Sequence, residues 1–171
     1  LYKAFHMCSR NHPDFYATDL ISDLLGNGKS ARLYQNLVKK KHIFGTIDAF
    51  ITGDVDAGLL LISGSLSEHM DMETAEEELN RELNELIENN IEEEELQKVK
   101  NKVEAVNTFG KTSALHKAMN FSFYELLGDA NRINQEIQNY REVTTDDILR
   151  VGKYLLDEKN TSTLYYHAKN Q

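Results

Sequence analysis

The segment from His12 to Ile51 constrains the fold more than any other part of the chain, because it reads as helix, tight turn, helix and strand. Pro13 fits the first position of a helix, where its missing N–H costs nothing, and Gly26-Asn27-Gly28 is typical of a helix end. Ser30 is predicted to cap the second helix, which ends in Lys39-Lys40-Lys41. The first helix has an apolar face with spacing i, i+3, i+4, i+7 and i+8, formed by Ala17, Leu20, Ile21, Leu24 and Leu25.

Four short runs with alternating or continuous apolar residues predict the strands of one sheet. These are Leu1–Ser9, Ile43–Ile51, Leu59–Leu66 and Thr161–Ala168. We expect both faces of the first strand to be covered. The second strand should carry Gly45 and Ile47 on one face, and Phe44 and Asp48 on the other. Turn residues between Gly53 and Gly58 join the second and third strands into an antiparallel hairpin.

The second half of the chain has helical apolar spacing. It predicts helices over Met72–Asn89, Glu92–Phe109, Ser113–Leu127 and Ala130–Tyr140, then a last helix after Val143. Val106 should end the buried stripe of the helix from Glu92. Thr144 and Asp147 form a capping box for the last helix, whose predicted buried face is Ile148, Val151, Tyr154 and Leu155. Residues 1–171 are therefore predicted to be one α+β domain, a mostly antiparallel sheet with helices packed on one face.

Charge and hydropathy exclude several classes of partner. The formal net charge of −9 argues against a nucleic-acid surface. The longest apolar run, Leu59 to Ile62, is too short to cross a membrane. The only cysteine is Cys8, so there is no disulfide framework. We therefore expect a soluble protein that binds neither nucleic acid nor membrane, and the compartment stays open between bacterial cytoplasm and periplasm.

The residues alone predict no catalytic site. Gly26-Asn27-Gly28-Lys29-Ser30 and Gly110-Lys111-Thr112 resemble parts of phosphate-binding loops, but the first follows a helix and the second has Ala105 where an earlier glycine is required. The six histidines include no H-x-x-E-H or H-E-x-x-H motif and no pair at i, i+4. Neither the serines nor Cys8 have a nucleophile pattern. We expect no catalytic residue, metal ligand or cofactor in this segment.

Four motifs, taken together and in order, resemble the insulinase/pitrilysin family of zinc metallopeptidases, the inverzincins. They are His12-Pro13-Asp14, Ser30-Ala31-Arg32-Leu33-Tyr34-Gln35-Asn36-Leu37, Glu95-Leu96-Gln97-Lys98-Val99-Lys100-Asn101 and Val143-Thr144-Thr145-Asp146-Asp147-Ile148. The matches cover nearly the whole chain and fall on the family's C-terminal, non-catalytic domain. The resemblance implies that zinc is held by a partner catalytic domain bearing H-x-x-E-H, on the same or another chain.

The resemblance also implies that the first strand and helix of this domain lie before Leu1. A strand edge would then be exposed, and we expect it to pair with another chain, such as a second copy of this chain in a homo-oligomer. The function implied is that of a chamber-forming, peptide-confining domain of a zinc-dependent metalloendopeptidase. Two alternatives stay open: a proteolytically inactive scaffold or interaction module of the same fold, and an unrelated α+β binding domain.

One departure from the family pattern bears on the substrate. Family members often carry L-R-x-K-x-x-L-A/G-Y after the second helix, and the arginine and tyrosine help to hold the peptide. Val38 and Gly45 stand at those two positions here. Because neither side chain donates a hydrogen bond, we expect apolar or main-chain contacts to the peptide substrate from Val38, Phe44, Gly45 and Ile47.

Overall fold

A computed structural model describes residues 1–53, 55–89 and 91–167. The strands are β1 Tyr2–His6, β2 Phe44–Ile51, β3 Leu59–Leu66 and β4 Thr161–Leu164. The α-helices are α1 Phe15–Gly26, α2 Met72–Glu88, α3 Glu93–Gly110, α4 Ala114–Leu126, α5 Glu136–Glu142 and α6 Thr145–Leu155. Three shorter segments are a π-helix, Tyr34–Lys40, and the 3₁₀ helices Ala130–Asn134 and Glu158–Asn160.

The strands form one sheet in the order β2-β3-β1-β4, with every neighbouring pair antiparallel. The four predicted strand regions share this sheet, although Ala168 lies outside the described residues. The described helices pack on one face of the sheet, and the predicted α+β class is confirmed. The prediction that both faces of the first strand are covered is wrong. Lys3 and Phe5 are buried under the helices, whereas Tyr2 and His6 on the other face are exposed.

The core lies between the covered face of the sheet and helices α1, α2 and α6. The end of α1 lies so close to β2 that a β-carbon on Gly26 would be 2.0 Å from the main-chain nitrogen of Ala49. The predicted capping box of Thr144 and Asp147 is present at the start of α6. Each fully buried leucine stabilises the fold by roughly 1.5–3 kcal/mol. The largest fully buried side chains are Phe5, Phe44, Leu20, Ile21, Leu24, Leu25, Leu33, Leu37, Leu60, Ile62, Leu79 and Leu86.

A β-bulge at the start of β2 changes which side chains face the core. The pairing with β3 shifts between Phe44 and Thr46, and Gly45 has no partner residue in β3. The prediction that Phe44 lies on the face opposite Ile47 is therefore wrong, because both are buried on the same face. The ring of Phe44 lies over Gly64, where a β-carbon would be only 2.6 Å from it. One extra residue in a strand inverts the alternation beyond it, which accounts for the error.

The predicted second helix is a π-helix, and Ser30 does not cap it. The N–H of Lys41 bonds to the carbonyl of Asn36, five residues earlier. This wider turn brings the side chains of Asn36 and Lys41 to the buried carboxylate of Glu82 on α2, at 2.6 and 2.8 Å. A contact with a distant helix therefore accompanies the unusual turn, and no local pattern indicates it.

Residues 104–135 form a region that we name the arm, which contains the end of α3, α4 and the first 3₁₀ helix. The other described residues up to Leu164 are named the body. The predicted helix over Ala130–Tyr140 is instead divided at Gln135 into that 3₁₀ helix and α5. Val106, predicted to be buried, is 66% exposed. The only buried apolar side chains of the arm are Tyr124 and Leu127, and the large exposed ones are Val106, Phe109, Leu115, Met119, Phe121 and Leu126.

Candidate functional site

The four residues predicted to face a peptide lie at the start of β2 and on the π-helix before it. Phe44 is 1% and Ile47 is 4% exposed, so their side chains belong to the core and present no surface. Val38 is half-buried, and Gly45 is exposed at the bulge. A β-carbon on Gly45 would meet only the carbonyl oxygen of Ser65, at 3.8 Å. The accessible parts of this predicted site are therefore Val38 and the main chain at Gly45.

Two of the motif stretches are joined by an ion pair. Arg32 donates from Nε and Nη2 to the two carboxylate oxygens of Glu95, at 2.9 and 2.6 Å. The hydrogen bond with Glu95 is the main reason that the pKa of Arg32 is raised. This bidentate pair holds the turn before the π-helix against α3.

Asp14 of the first motif joins the start of α1 to α6. Arg150 donates to its two carboxylate oxygens at 3.1 and 2.7 Å, and the hydroxyl of Tyr154 donates at 2.9 Å. The hydrogen bond from Arg150 is the main reason that the pKa of Asp14 lies below its usual value. Tyr154 was predicted to be buried but is 45% exposed, because its hydroxyl reaches Asp14 at the surface.

Lys100 makes the third connection between motifs. It is buried on α3, and its Nζ donates to the main-chain oxygens of Arg141 and Val143. Val143 is the first residue of the fourth motif, so Lys100 holds the segment between α5 and α6 against α3. The motif residues thus contact other parts of the body in specific ways. Their arrangement supports the fold.

A buried cluster around Arg10 is not indicated by any sequence motif. Nη2 of Arg10 donates to Oε1 of Glu136 at 2.6 Å and to the hydroxyl of Tyr124 at 3.2 Å. The guanidinium carbon lies 4.1 Å from the ring centre of Phe15. Tyr16 donates to Oε2 of Glu136 at 3.1 Å. Nη1 of Arg10 is buried and has no hydrogen-bond partner among the described residues, at a cost of roughly 1–3 kcal/mol.

A second carboxylate, Asp19 on α1, lies next to this cluster. Burial is the main reason that its pKa is raised to about 6, and repulsion from Asp23 adds to the effect. The hydroxyl of Tyr140 donates a hydrogen bond to Asp19. The ion pairs found among the described residues do not include Asp19. The carboxylate of Asp19 is therefore largely shielded from solvent and forms none of these ion pairs.

The Arg10 cluster and Asp19 form the floor of an open cleft between α1, α3 and α4, with a volume of about 410 Å³. Val103 and Val106 of α3 form one wall, and Phe123 of α4 belongs to the other. The cleft therefore combines a charged floor with partly apolar walls.

The sheet face opposite the helices is a second candidate surface, which we name the open face. Tyr2 of β1 and Leu164 of β4 are cross-strand partners, and both are exposed there. Phe50 of β2 is exposed on the same face, opposite Leu61 of β3. Exposed aromatic and aliphatic side chains on an uncovered sheet face are typical of a surface that contacts a partner or a ligand.

A metal site and a membrane span each require a particular arrangement of residues. Within residues 1–53, 55–89 and 91–167, no group of three or more His, Cys, Asp or Glu residues is placed to hold a metal ion. The described helices include none that is long and apolar enough to span a membrane. Gly26 and Gly110, from the two stretches resembling phosphate loops, lie at the ends of α1 and α3.

Residues 1–103 match the family model described as the peptidase M16 inactive domain. A protease from Helicobacter pylori is similar in structure, with a TM-score of 0.87 and 23% identity over 94% of this chain and 39% of that one. The inactive peptidase domain of a candidate zinc protease from Bordetella parapertussis has a TM-score of 0.85 and 24% identity. The match covers 94% of this chain and 87% of that one. A candidate zinc protease from Bordetella pertussis Tohama I has a TM-score of 0.84 and 24% identity, over 94% of this chain and 89% of that one.

The family model and the structural matches support different conclusions about this chain. At such identities the structural likeness shows the fold alone, whereas the family model covers more than half of this chain. The chain spans 39% of the length of the Helicobacter pylori protease. A comparison with the curated proteins finds no match.

Proposed function

The chain belongs to the family of peptidase M16 inactive domains, and from this membership we propose that it is the non-catalytic domain of a zinc-dependent metallopeptidase. In this role it forms one wall of a chamber that confines a peptide. Zinc, its ligands and the catalytic base belong to a partner catalytic domain on the same or another chain. Zinc would supply an activated water for hydrolysis, and this domain's own residues would bind and orient the peptide.

The observation that carries the proposal is the open face of the sheet. The helices bury the other face completely around Phe5 and Leu60, so the body needs no further cover there. On the open face, Tyr2, Phe50 and Leu164 present apolar surface, with the small Ala4 between β3 and β4. A broad sheet surface of this kind can contact an extended peptide along several residues without requiring one particular sequence.

The bulge at Gly45 is the proposed contact at the edge of this wall. Gly45 is exposed and has no residue opposite it in β3, and its main chain is the group that would bond to a peptide main chain there. Val38 adds a partly exposed apolar side chain close to β2. The buried Phe44 and Ile47 hold the bulge in place without contacting the peptide themselves.

Photo-crosslinking tests the chamber wall in the protein assembled with its catalytic domain. A benzophenone amino acid replaces Phe50, on the open face, or Phe109, at the tip of the arm. Both native side chains are exposed, so the two variants are a matched pair. With zinc removed to prevent cleavage, we expect a bound peptide to crosslink to position 50 and not to position 109. Crosslinking from position 109 alone, or none from position 50, would contradict the proposed wall.

The double variant Val38→Arg with Gly45→Tyr tests the contact at the bulge. The structure has room for a side chain at position 45, so the variant is expected to fold. The new donors should strengthen peptide binding and raise kcat/KM on a peptide library by about tenfold to a hundredfold. If a correctly folded double variant shows unchanged kcat/KM, Val38 and Gly45 do not face the peptide. The reading as an inactive scaffold of the same fold would then be favoured.

A further inference from the structure

We propose that the cleft between α1, α3 and α4 binds a small zwitterion, an α-amino acid or a short peptide, with its carboxylate at Arg10 and its ammonium group at Asp19. The cleft lies in the helical layer, on the side of the sheet opposite the open face. This site is therefore separate from the peptide wall proposed above, and it does not depend on that proposal.

Arg10 supplies the first reason, because one of its donors lacks an acceptor. Its side chain is more than nine-tenths buried, and Nη1 has no partner among the described residues. Glu136 does not reach Nη1 in the structure: its Oε1 accepts from Nη2 of Arg10 and its Oε2 from Tyr16, and neither oxygen bonds to Nη1. Arg10, Glu136 and Tyr124 all line the cleft. A carboxylate entering there would provide the missing acceptor in the geometry that a guanidinium favours.

Asp19 supplies the second reason, because none of the ion pairs among the described residues includes it, and Arg10 attracts its charge without a direct contact. Lys102, which lines the cleft, donates to the main-chain oxygen of Asn27 at 2.8 Å and not to Asp19. Asp23, one turn away on α1, repels the charge of Asp19. An ammonium group would relieve this repulsion. The floor therefore needs an anion at one point and a cation at another, which a single ligand carrying both charges satisfies better than either ion alone.

The size and the walls of the cleft indicate the rest of the ligand. A volume of about 410 Å³ is within the range of small-molecule sites and accommodates an amino acid or a dipeptide. Val103, Val106 and Phe123 would contact an apolar side chain. Helix α4 contacts mainly the 3₁₀ helix that follows it, and Gly128 between them has φ of +109°. Because Nη1 is closed to solvent in this structure, a carboxylate reaches it when α4 moves outward.

Four related probes test the proposal by calorimetry and NMR titration of the 171-residue chain. Leucine and leucyl-leucine carry both charges, 3-methylbutylamine only the ammonium, and 4-methylpentanoate only the carboxylate. We expect at least one zwitterion to bind about tenfold more tightly than either singly charged probe, because each charged hydrogen bond adds at least that factor. The relative affinities of leucine and leucyl-leucine then distinguish an amino acid from a peptide as the ligand.

Asp19→Asn is the diagnostic variant, since it keeps the size of the side chain and an acceptor for Tyr140. It should weaken the binding of the zwitterion about tenfold or more and leave the binding of 4-methylpentanoate undiminished. Asp56→Asn, at an exposed position outside the cleft, is the matched control and should change neither. Equal affinities for all four probes, no binding by any of them, or zwitterion binding that Asp19→Asn does not weaken would each overturn the proposal.

Discussion

The body and the arm contain helices of similar apolar spacing, yet only the body buries them. On α1 of the body, Leu20 is fully buried, whereas Leu115 on α4 of the arm is 71% exposed. The family model also ends at residue 103, immediately before the arm. Apolar spacing therefore identifies the side chains that share a helix face. It does not say whether another element of the same chain covers that face.

The two regions also differ in how they are held. In the body, distant segments are joined by the pairs Arg32–Glu95 and Asp14–Arg150 and by the bonds of Lys100 to main-chain oxygens. The arm is attached through Tyr124 at the Arg10 cluster, through the exposed contacts Arg141–Glu104 and Arg132–Asn11, and through few other buried side chains. We therefore expect the arm to open locally at a lower free energy than the body unfolds.

The largest expected difference is between two leucine-to-alanine substitutions. Leu20→Ala removes a fully buried side chain from the body and should lower the free energy of unfolding by about 2–5 kcal/mol. Leu115→Ala removes an exposed side chain from the arm and should change the free energy of unfolding by no more than about 0.5 kcal/mol. Urea denaturation followed by far-UV circular dichroism measures both. A comparable loss in the two variants would mean that the exposed stripe of α4 is covered in solution.

The second test concerns Asp19, which lies where the body faces the arm. Its pKa of about 6 in the folded chain is above the ordinary value of 3.8, so the folded state binds a proton more tightly than the unfolded state. This group therefore makes stability fall as pH rises from about 4 to about 6. Asp19→Asn removes that loss. The stability of the variant relative to the native chain should rise by about 2–3 kcal/mol over this interval.

Denaturation of both proteins at several pH values between 4 and 7 measures this difference. Carboxylates such as Asp14 and Asp147 have lowered pKa values and act in the opposite direction, but they are present in both proteins and cancel. A difference between variant and native chain that stays constant with pH would show that Asp19 is well solvated. Water would then reach the floor of the cleft in solution.

The smallest expected effects come from two helix caps. Thr144 accepts from the N–H of Asp147 in the body, and Ser113 accepts from the N–H of His116 in the arm. Thr144→Ala should lower the global free energy of unfolding by about 0.5–2 kcal/mol. Ser113→Ala should leave it nearly unchanged and instead speed amide hydrogen exchange within α4 by several-fold, since that helix opens on its own. Global destabilisation by Ser113→Ala would show that the arm and the body unfold together.

Local signals allowed much of the fold to be predicted. Alternating or continuous apolar runs located the four strands, and the Thr144–Asp147 spacing identified the start of α6, because these patterns arise from neighbouring residues. The π-helix was not predictable, since its wide turn accompanies contacts of Asn36 and Lys41 with Glu82 on another helix. The division of the predicted helix Ala130–Tyr140 into a 3₁₀ helix and α5 was not predictable either.

The candidate sites depended still more on contacts between distant residues. Arg10 and Glu136 are 126 positions apart, and neither belongs to a motif that would single it out. The motif residues that did attract notice, such as Arg32 and Asp14, hold the body together. Arg10 follows a strand as a lone charge near Phe15 and Tyr16, and this was the one available signal for the cluster.

The bulge at Gly45 has a consequence for chain length. If residue 45 were deleted, Thr46 alone would separate Phe44 from Ile47, and the strand would alternate regularly with the same side chains inward. A deletion between Ile47 and Ile51 would instead turn every side chain on one side of it to the wrong face. Position 45 is therefore the place in β2 where relatives one residue shorter can keep the same core.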